Sequence, residues 1–269
     1  MRSHGTTLWM LPALLFATLI LSGSLAAQEA KYVGTAACAK CHRKHTSWTA
    51  TSAHSGSCEG CHGPGSAHVA NFRTGLIRSF RKEPAAERSA VCLGCHTRLH
   101  GELSFERGDH SRREVACDQC HSAGRSELFH SMRAANDVFS KAEPEICLNC
   151  HADQRASFSL PFHHPVNERF MGCSSCHEPH GGYKLRQMKT RHTDAVCGKC
   201  HENHQGPFVF EHPAGRAAGC ESCHQPHGSA NPRMLVRPQV QFLCLECHAN
   251  IPPSHELSNA RYQNCTVCH

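Results

Sequence analysis

The pentapeptide C-x-x-C-H occurs ten times in this chain and uses all 20 of its cysteines. The first five copies set Cys38, Cys41 and His42; Cys58, Cys61 and His62; Cys92, Cys95 and His96; Cys117, Cys120 and His121; and Cys147, Cys150 and His151. The other five set Cys173, Cys176 and His177; Cys197, Cys200 and His201; Cys220, Cys223 and His224; Cys244, Cys247 and His248; and Cys265, Cys268 and His269. Two thiols three residues apart can form thioethers with the two vinyl groups on one edge of a haem, and the next residue then brings an imidazole under the iron. Zinc ribbons and redox dithiols share the C-x-x-C spacing but do not demand the adjacent histidine. A disulfide framework leaves it equally unexplained. With 25 histidines in 269 residues, ten such neighbours in succession by chance would occur on the order of 10⁻¹⁰ of the time. The expected cofactors are ten covalent c-type haems.

That expectation accounts for a thin composition. Only 39% of residues are apolar and 6% aromatic, against roughly 45–50% apolar in ordinary globular domains. Porphyrin rings, about one per 24 residues, would fill the interior, and the chain without them has little with which to build a core. The expected fold is that of a multihaem cytochrome: little regular secondary structure, short α-helices and loops wrapped around ten haems, in an elongated body. Helical patterns are weak; Ala85–Thr97 and Asp194–Cys200 are the two candidates, and no alternating strand pattern runs far.

The first 27 residues read as a secretory signal. Arg2 precedes the apolar run Leu8–Leu21, and small residues end at Ala26 and Ala27. At about 14 residues the run is shorter than the roughly 20 a spanning helix needs. Residues 28–269 are then exported as the mature cytochrome domain, with no transmembrane segment after cleavage. A formal charge of +6, dispersed rather than gathered in a run, gives no reason to expect nucleic acid.

The residues before each motif sort the ten into two alternating kinds and pair them into five two-haem modules, starting at Cys38, Cys92, Cys147, Cys197 and Cys244. Within each module a histidine lies between the two motifs: His54, His110, His163 or His164, His212 and His255. Another follows the second motif: His68, His130, His180 and His227. These are the candidates for the second axial position of the irons. In C-H-Q-P-H, His227 follows His224 too closely to reach the far face of the same porphyrin, so it must serve a different iron; His180 after His177 repeats the device. His45, His100, His192 and His204 fit no repeated slot. The fifth module has no histidine after its second motif. An unslotted histidine, a five-coordinate iron or a partner at the terminus are the three ways to meet that gap.

The sequence resembles the periplasmic decahaem c-type cytochromes of the DmsE/MtrA kind. The specific pieces are CHGPGSAH (61–68), HHPV (163–166), CSSCHEPHG (173–181), GPFVFEHP (206–213) and CESCHQPHGS (220–229). The resemblance implies low-potential haems with two histidine ligands in a roughly linear chain, in the periplasm or associated with the outer membrane. It implies redox protein partners, among them an outer-membrane β-barrel and an inner-membrane quinol-oxidising cytochrome. It supports His54, His68, His110, His164, His180, His212 and His227 as second ligands, with His255 and His130 less closely matched.

Imidazole on both faces leaves an iron no site for substrate, so electron transfer without substrate chemistry is the leading expectation, with no catalytic residues and no enzyme activity. Six methionines in all, two of them in the signal, exclude methionine ligation as a general device. The alternative is a reductase of a small oxidant, of the nitrite or hydroxylamine type, acting at one incompletely ligated haem.

Overall fold

The computed structural model describes residues 29–45, 54, 57–96, 102–121, 143–182, 185–213, 215, 219–255 and 259–267. The signal segment, His100, His130, Cys268 and His269 lie outside the described residues.

Helices are short because each is built around a motif. In every copy whose backbone is described through its histidine, the motif closes a single turn. The histidine N–H donates to the carbonyl of the first cysteine, at 2.9 Å from His42 to Cys38 and 3.0 Å from His224 to Cys220. That bond brings both thiols and the imidazole to one side. The motif is α-helical at Cys58–His62 and Cys117–His121, and a 3₁₀ turn at Cys173–Ser175, Cys220–Ser222 and Cys265–Val267. The candidate helix from Ala85 ends at Leu93 and the one from Asp194 occupies Thr193–Cys197. Each stops at the glycine inside its motif, Gly94 or Gly198, where the chain tightens to present the second thiol.

Polar side chains join the motifs in pairs. Glu59 accepts from the N–H groups of Val33, Gly34 and Gly65 at 2.8–2.9 Å. Arg88 donates to Asp118 at 2.6 Å, joining the helices Ala85–Leu93 and Cys117–His121. Glu143 accepts from the backbone and hydroxyl of Ser174, and Asp194 accepts from the N–H of Cys220 at 2.8 Å. The sheet is minimal: Phe162–His163 runs antiparallel to Gly228–Ser229, with Phe162 opposite Ser229 and His163 opposite Gly228.

Among the described residues the buried apolar set is Phe105, Ala116, Leu148, Phe158, Val166, Met188 and Val196. Phe72, Phe170, Val209 and Phe210 are at least 72% exposed. So small a protein core beside so many uncovered rings is what a chain folded around large flat apolar groups would leave. No helix among the described residues is long and apolar enough to cross a membrane.

Candidate functional site

The thiols form a continuous thread. Leading cysteines touch in pairs as hydrogen-bonding thiols: Cys38 with Cys58, Cys92 with Cys117, Cys147 with Cys173, Cys197 with Cys220, and Cys244 with Cys265. Between these pairs, trailing thiols lie within electrostatic range of the next motif: Cys61 of Cys95, Cys120 of Cys150, Cys176 of Cys200, and Cys223 of Cys244. The motifs therefore neighbour one another in sequence order. The shared hydrogen bond pushes the Cys92 thiol up and its partner Cys117 down, and Cys147 and Cys173 divide the same way. No disulfide is formed among the described cysteines. Asp194, Cys197 and Cys220 bring three metal-binding atoms within 4.8 Å of one another, but both sulfurs belong to haem-attachment motifs.

Histidine rings stand in pairs at a nearly constant centroid separation. Ring centroids are separated by 6.3 Å for His42 and His68, 5.9 Å for His96 and His54, and 6.0 Å for His121 and His180. The separations are 6.2 Å for His151 and His110, 6.0 Å for His177 and His227, 6.2 Å for His201 and His164, and 6.1 Å for His248 and His212. A metal lies about 2 Å from a ligating imidazole nitrogen, so two rings on opposite faces of one ion place their centroids about 6 Å apart. Rings in van der Waals contact would be closer. The donor set, two imidazoles and two nearby thiols per site, fits haem c.

Backbone carbonyls decide which nitrogen faces the gap. The Nδ1 of His62, His177 and His224 lies 3.1, 2.7 and 2.9 Å from the carbonyl of Arg78, Arg186 and Arg233. On the facing set, Nδ1 of His68 meets Arg73 O at 2.9 Å, that of His110 meets Pro179 O at 3.0 Å, and that of His164 meets Pro226 O at 2.5 Å. A carbonyl can only accept, so Nδ1 carries the proton and donates, which leaves Nε2 unprotonated as a ligand must be. Burial, then the charge of the facing histidine, holds the His121 and His227 imidazoles below the ordinary range and keeps them neutral.

The facing partners follow an offset. A histidine lying between two paired motifs faces the first motif of the next pair: His54 to His96, His110 to His151, His164 to His201, His212 to His248. A histidine after a second motif faces the second motif of the previous pair: His180 to His121 and His227 to His177. His68 alone faces its own pair, at His42. The sequence reading named these seven histidines, but motif spacing carried no signal for the offset.

The remaining histidines divide. Of the doublet, His164 takes the facing position; His163 bonds Leu160 O and Glu168, and the Glu168 hydrogen bond holds its imidazole above the ordinary range. His45 and His204 sit one turn beyond His42 and His201, at 6.4 and 6.3 Å. His192 stands at the N-cap position of the helix Thr193–Cys197, with no capping hydrogen bond from its side chain. His255 lies against Tyr262 at 5.4 Å, and the edge of His62 meets Phe80 at 5.6 Å. Among the described residues no imidazole faces His224. Sequence reasoning missed the carbonyls of Pro179, Pro226 and the four arginines, because a backbone acceptor has no side-chain signature; the repeat C-H-x-P-H-G followed by Arg was the available sign for Arg186 and Arg233.

The doubled-CXXCH-motif family matches residues 163–206 and 212–253. Each match opens at or one residue before a facing histidine, His164 or His212, and closes beyond the motif it faces, at His201 or His248. Multiheme cytochrome MtrA of Shewanella baltica (strain OS185) is 32% identical over 160 residues, covering 58% of this chain and 45% of the relative. Cytochrome c-type protein NrfB of Escherichia coli O6:H1 is 28% identical over 102 residues, covering 38% of this chain and 52% of the relative. The chain thus spans about half the length of the curated relatives it matches.

Proposed function

We propose that this chain is a multihaem c-type cytochrome of the MtrA type that passes electrons along a row of ten covalently held haems between protein partners. The observation that carries the proposal is the set of seven imidazole pairs, each with an iron-sized gap. Haem c supplies the one-electron couple when bound. The chain's residues do the rest. The 20 motif cysteines fix the rings, the ten motif histidines provide one axial nitrogen each, and His54, His68, His110, His164, His180, His212 and His227 provide the second. His130 and His255 complete the set of candidate second ligands. Two imidazoles close an iron to substrate and favour a low potential relative to methionine ligation. The thread of thiols in sequence order supports five two-haem modules and a linear order of haems.

Export to the periplasm accords with the signal-like residues 1–27 and with thioether chemistry outside the cytoplasm. Partners of the reading are a quinol-oxidising cytochrome at the inner membrane and a β-barrel at the outer one. Purified mature protein should exceed its polypeptide mass by ten haems, give a low-spin spectrum and titrate reversibly with mediators. A mass equal to the bare chain would overturn the reading.

A second reading draws on His224, which no imidazole faces among the described residues: reduction of a small oxidant at that haem. A large high-spin fraction that binds nitrite or cyanide would favour it over the carrier.

A further inference from the structure

Two turns in the molecule are structural copies. In the first, Glu178 N–H donates to Gln187 O at 2.6 Å, Lys189 N–H to Cys176 O at 3.0 Å, and His177 bridges Met188. In the second, Gln225 N–H donates to Met234 O at 2.8 Å, Val236 N–H to Cys223 O at 3.0 Å, and His224 bridges Leu235. The match puts Gln187 and Met234 at one position, each preceded by an arginine and each with a positive φ, 49° and 55°. Each turn also presents a proline carbonyl to a histidine from an earlier segment, Pro179 to His110 and Pro226 to His164.

One side chain breaks the symmetry. Gln187 is buried at 7% exposure. Its Oε1 accepts from the N–H of Asp109 at 2.8 Å, which fixes the amide so that Nε2 points the other way. That nitrogen lies 3.2 Å from His110 Nδ1 and 3.4 Å from Pro179 O. Gly108 leaves the room, since a Cβ there would stand 2.8 Å from Oε1. With Nδ1 protonated, the imidazole and the amide both donate to the Pro179 carbonyl, which has two lone pairs to share. The Met234 side chain has no N–H, so the Pro226 carbonyl faces no such competitor.

A stronger hydrogen bond from Nδ1 makes an imidazole a better donor to its metal and stabilises the oxidised state. We infer that Gln187 is a positioning residue that weakens the hydrogen bond of His110, setting the haem on Cys147 and Cys150 at a higher reduction potential than its counterpart on Cys197 and Cys200. The inference rests on the proposed axial pairs His110/His151 and His164/His201. Electrons then meet two haems of like ligation and unlike potential, a step written by one amide.

The test uses the full haem-loaded chain and two reciprocal variants, followed by potentiometry with haem-resolved proton NMR. Gln187→Met should shift one haem to a more negative potential while the others stay in place and low-spin. Met234→Gln should shift a different haem to a more positive potential. Because each backbone already hosts the other's residue type, either variant can stand alone if its companion fails to mature. Unchanged potentials in a haem-loaded variant, a shift of opposite sign, or a high-spin signal that marks lost ligation would each overturn the inference alone. A chain carrying no haem would overturn the proposed function first.

Discussion

Glu59 shows how a single carboxylate can hold two segments that share no regular structure. It is 5% exposed and takes three backbone N–H groups, from Val33, Gly34 and Gly65. Burial alone would push its carboxyl up, but the three donors outweigh burial and hold it below the usual carboxylate range. A group with a depressed folded value stabilises above its unfolded value, near 4.3, and loses that contribution as pH falls through the folded one. Glu59→Gln should therefore cost about 1–3 kcal/mol at neutral pH, and the penalty should shrink in acid. Thermal melts of the two proteins, followed in the Soret region between pH 3 and 7, would show the curves converging at low pH. Parallel curves would show that the carboxylate's charge is not what holds the segments. At this scale the sequence was most legible for side chains that carry chemistry, such as His54 or His227. Acceptors such as Pro179 O and Arg233 O carry no letter of their own and waited for the structure.

Among the elements, the turn after C-H-x-P-H explains why a histidine from one stretch can reach the motif of another. Gly181 (φ 120°) and Gly228 follow His180 and His227, and a Cβ on either would lie 2.4 Å from Ser104 O or 2.1 Å from Ser157 O. Bare backbone at these points lets the segments leading to His110 and His164 lie directly on the turn. Gly228→Ala should force those chains apart at a cost of about 1–3 kcal/mol and raise the high-spin fraction as His164 shifts; a spectrum like that of the parent would show that the contact is slack. Removing a facing histidine should act at a distance along the sequence. His227→Ala should open the haem on Cys173 and Cys176, not the one beside it on Cys220 and Cys223, adding one cyanide-binding haem; labelling of the neighbouring haem instead would contradict the offset. Helices were legible in the sequence as places, Ala85 onward and Asp194 onward, but their ends were not. Motif geometry, rather than propensity, stops each at its glycine.

Across the whole molecule the sequence conveyed the class of protein well, because ten repeats of one pentapeptide leave few alternatives, and the likeness to the MtrA type is borne out by the relatives. Its interior was legible as a deficit. Seven buried apolar residues among those described are far short of a core for a chain of this length. The chain expressed without haem attachment should show no cooperative unfolding by calorimetry or circular dichroism, whereas the loaded protein should melt sharply. A cooperative transition in the haem-free chain would mean that the peptide alone builds a core. What spacing could not convey was connectivity, since which histidine meets which motif depends on chain paths fixed by close contacts such as Gly228 against Ser157.

The offset of the facing histidines lays the protein like brickwork, each course overlapping the joints of the courses above and below. Neighbouring attachment cysteines lie side by side within a course, while His110, His164 and His212 reach forward and His180 and His227 reach back. On the proposed ligation, any cut between courses would strand a metal on one side of the seam and its clasp on the other. Shortening, swapping or grafting such a protein should therefore respect the overlap, carrying each borrowed histidine along with the iron it closes.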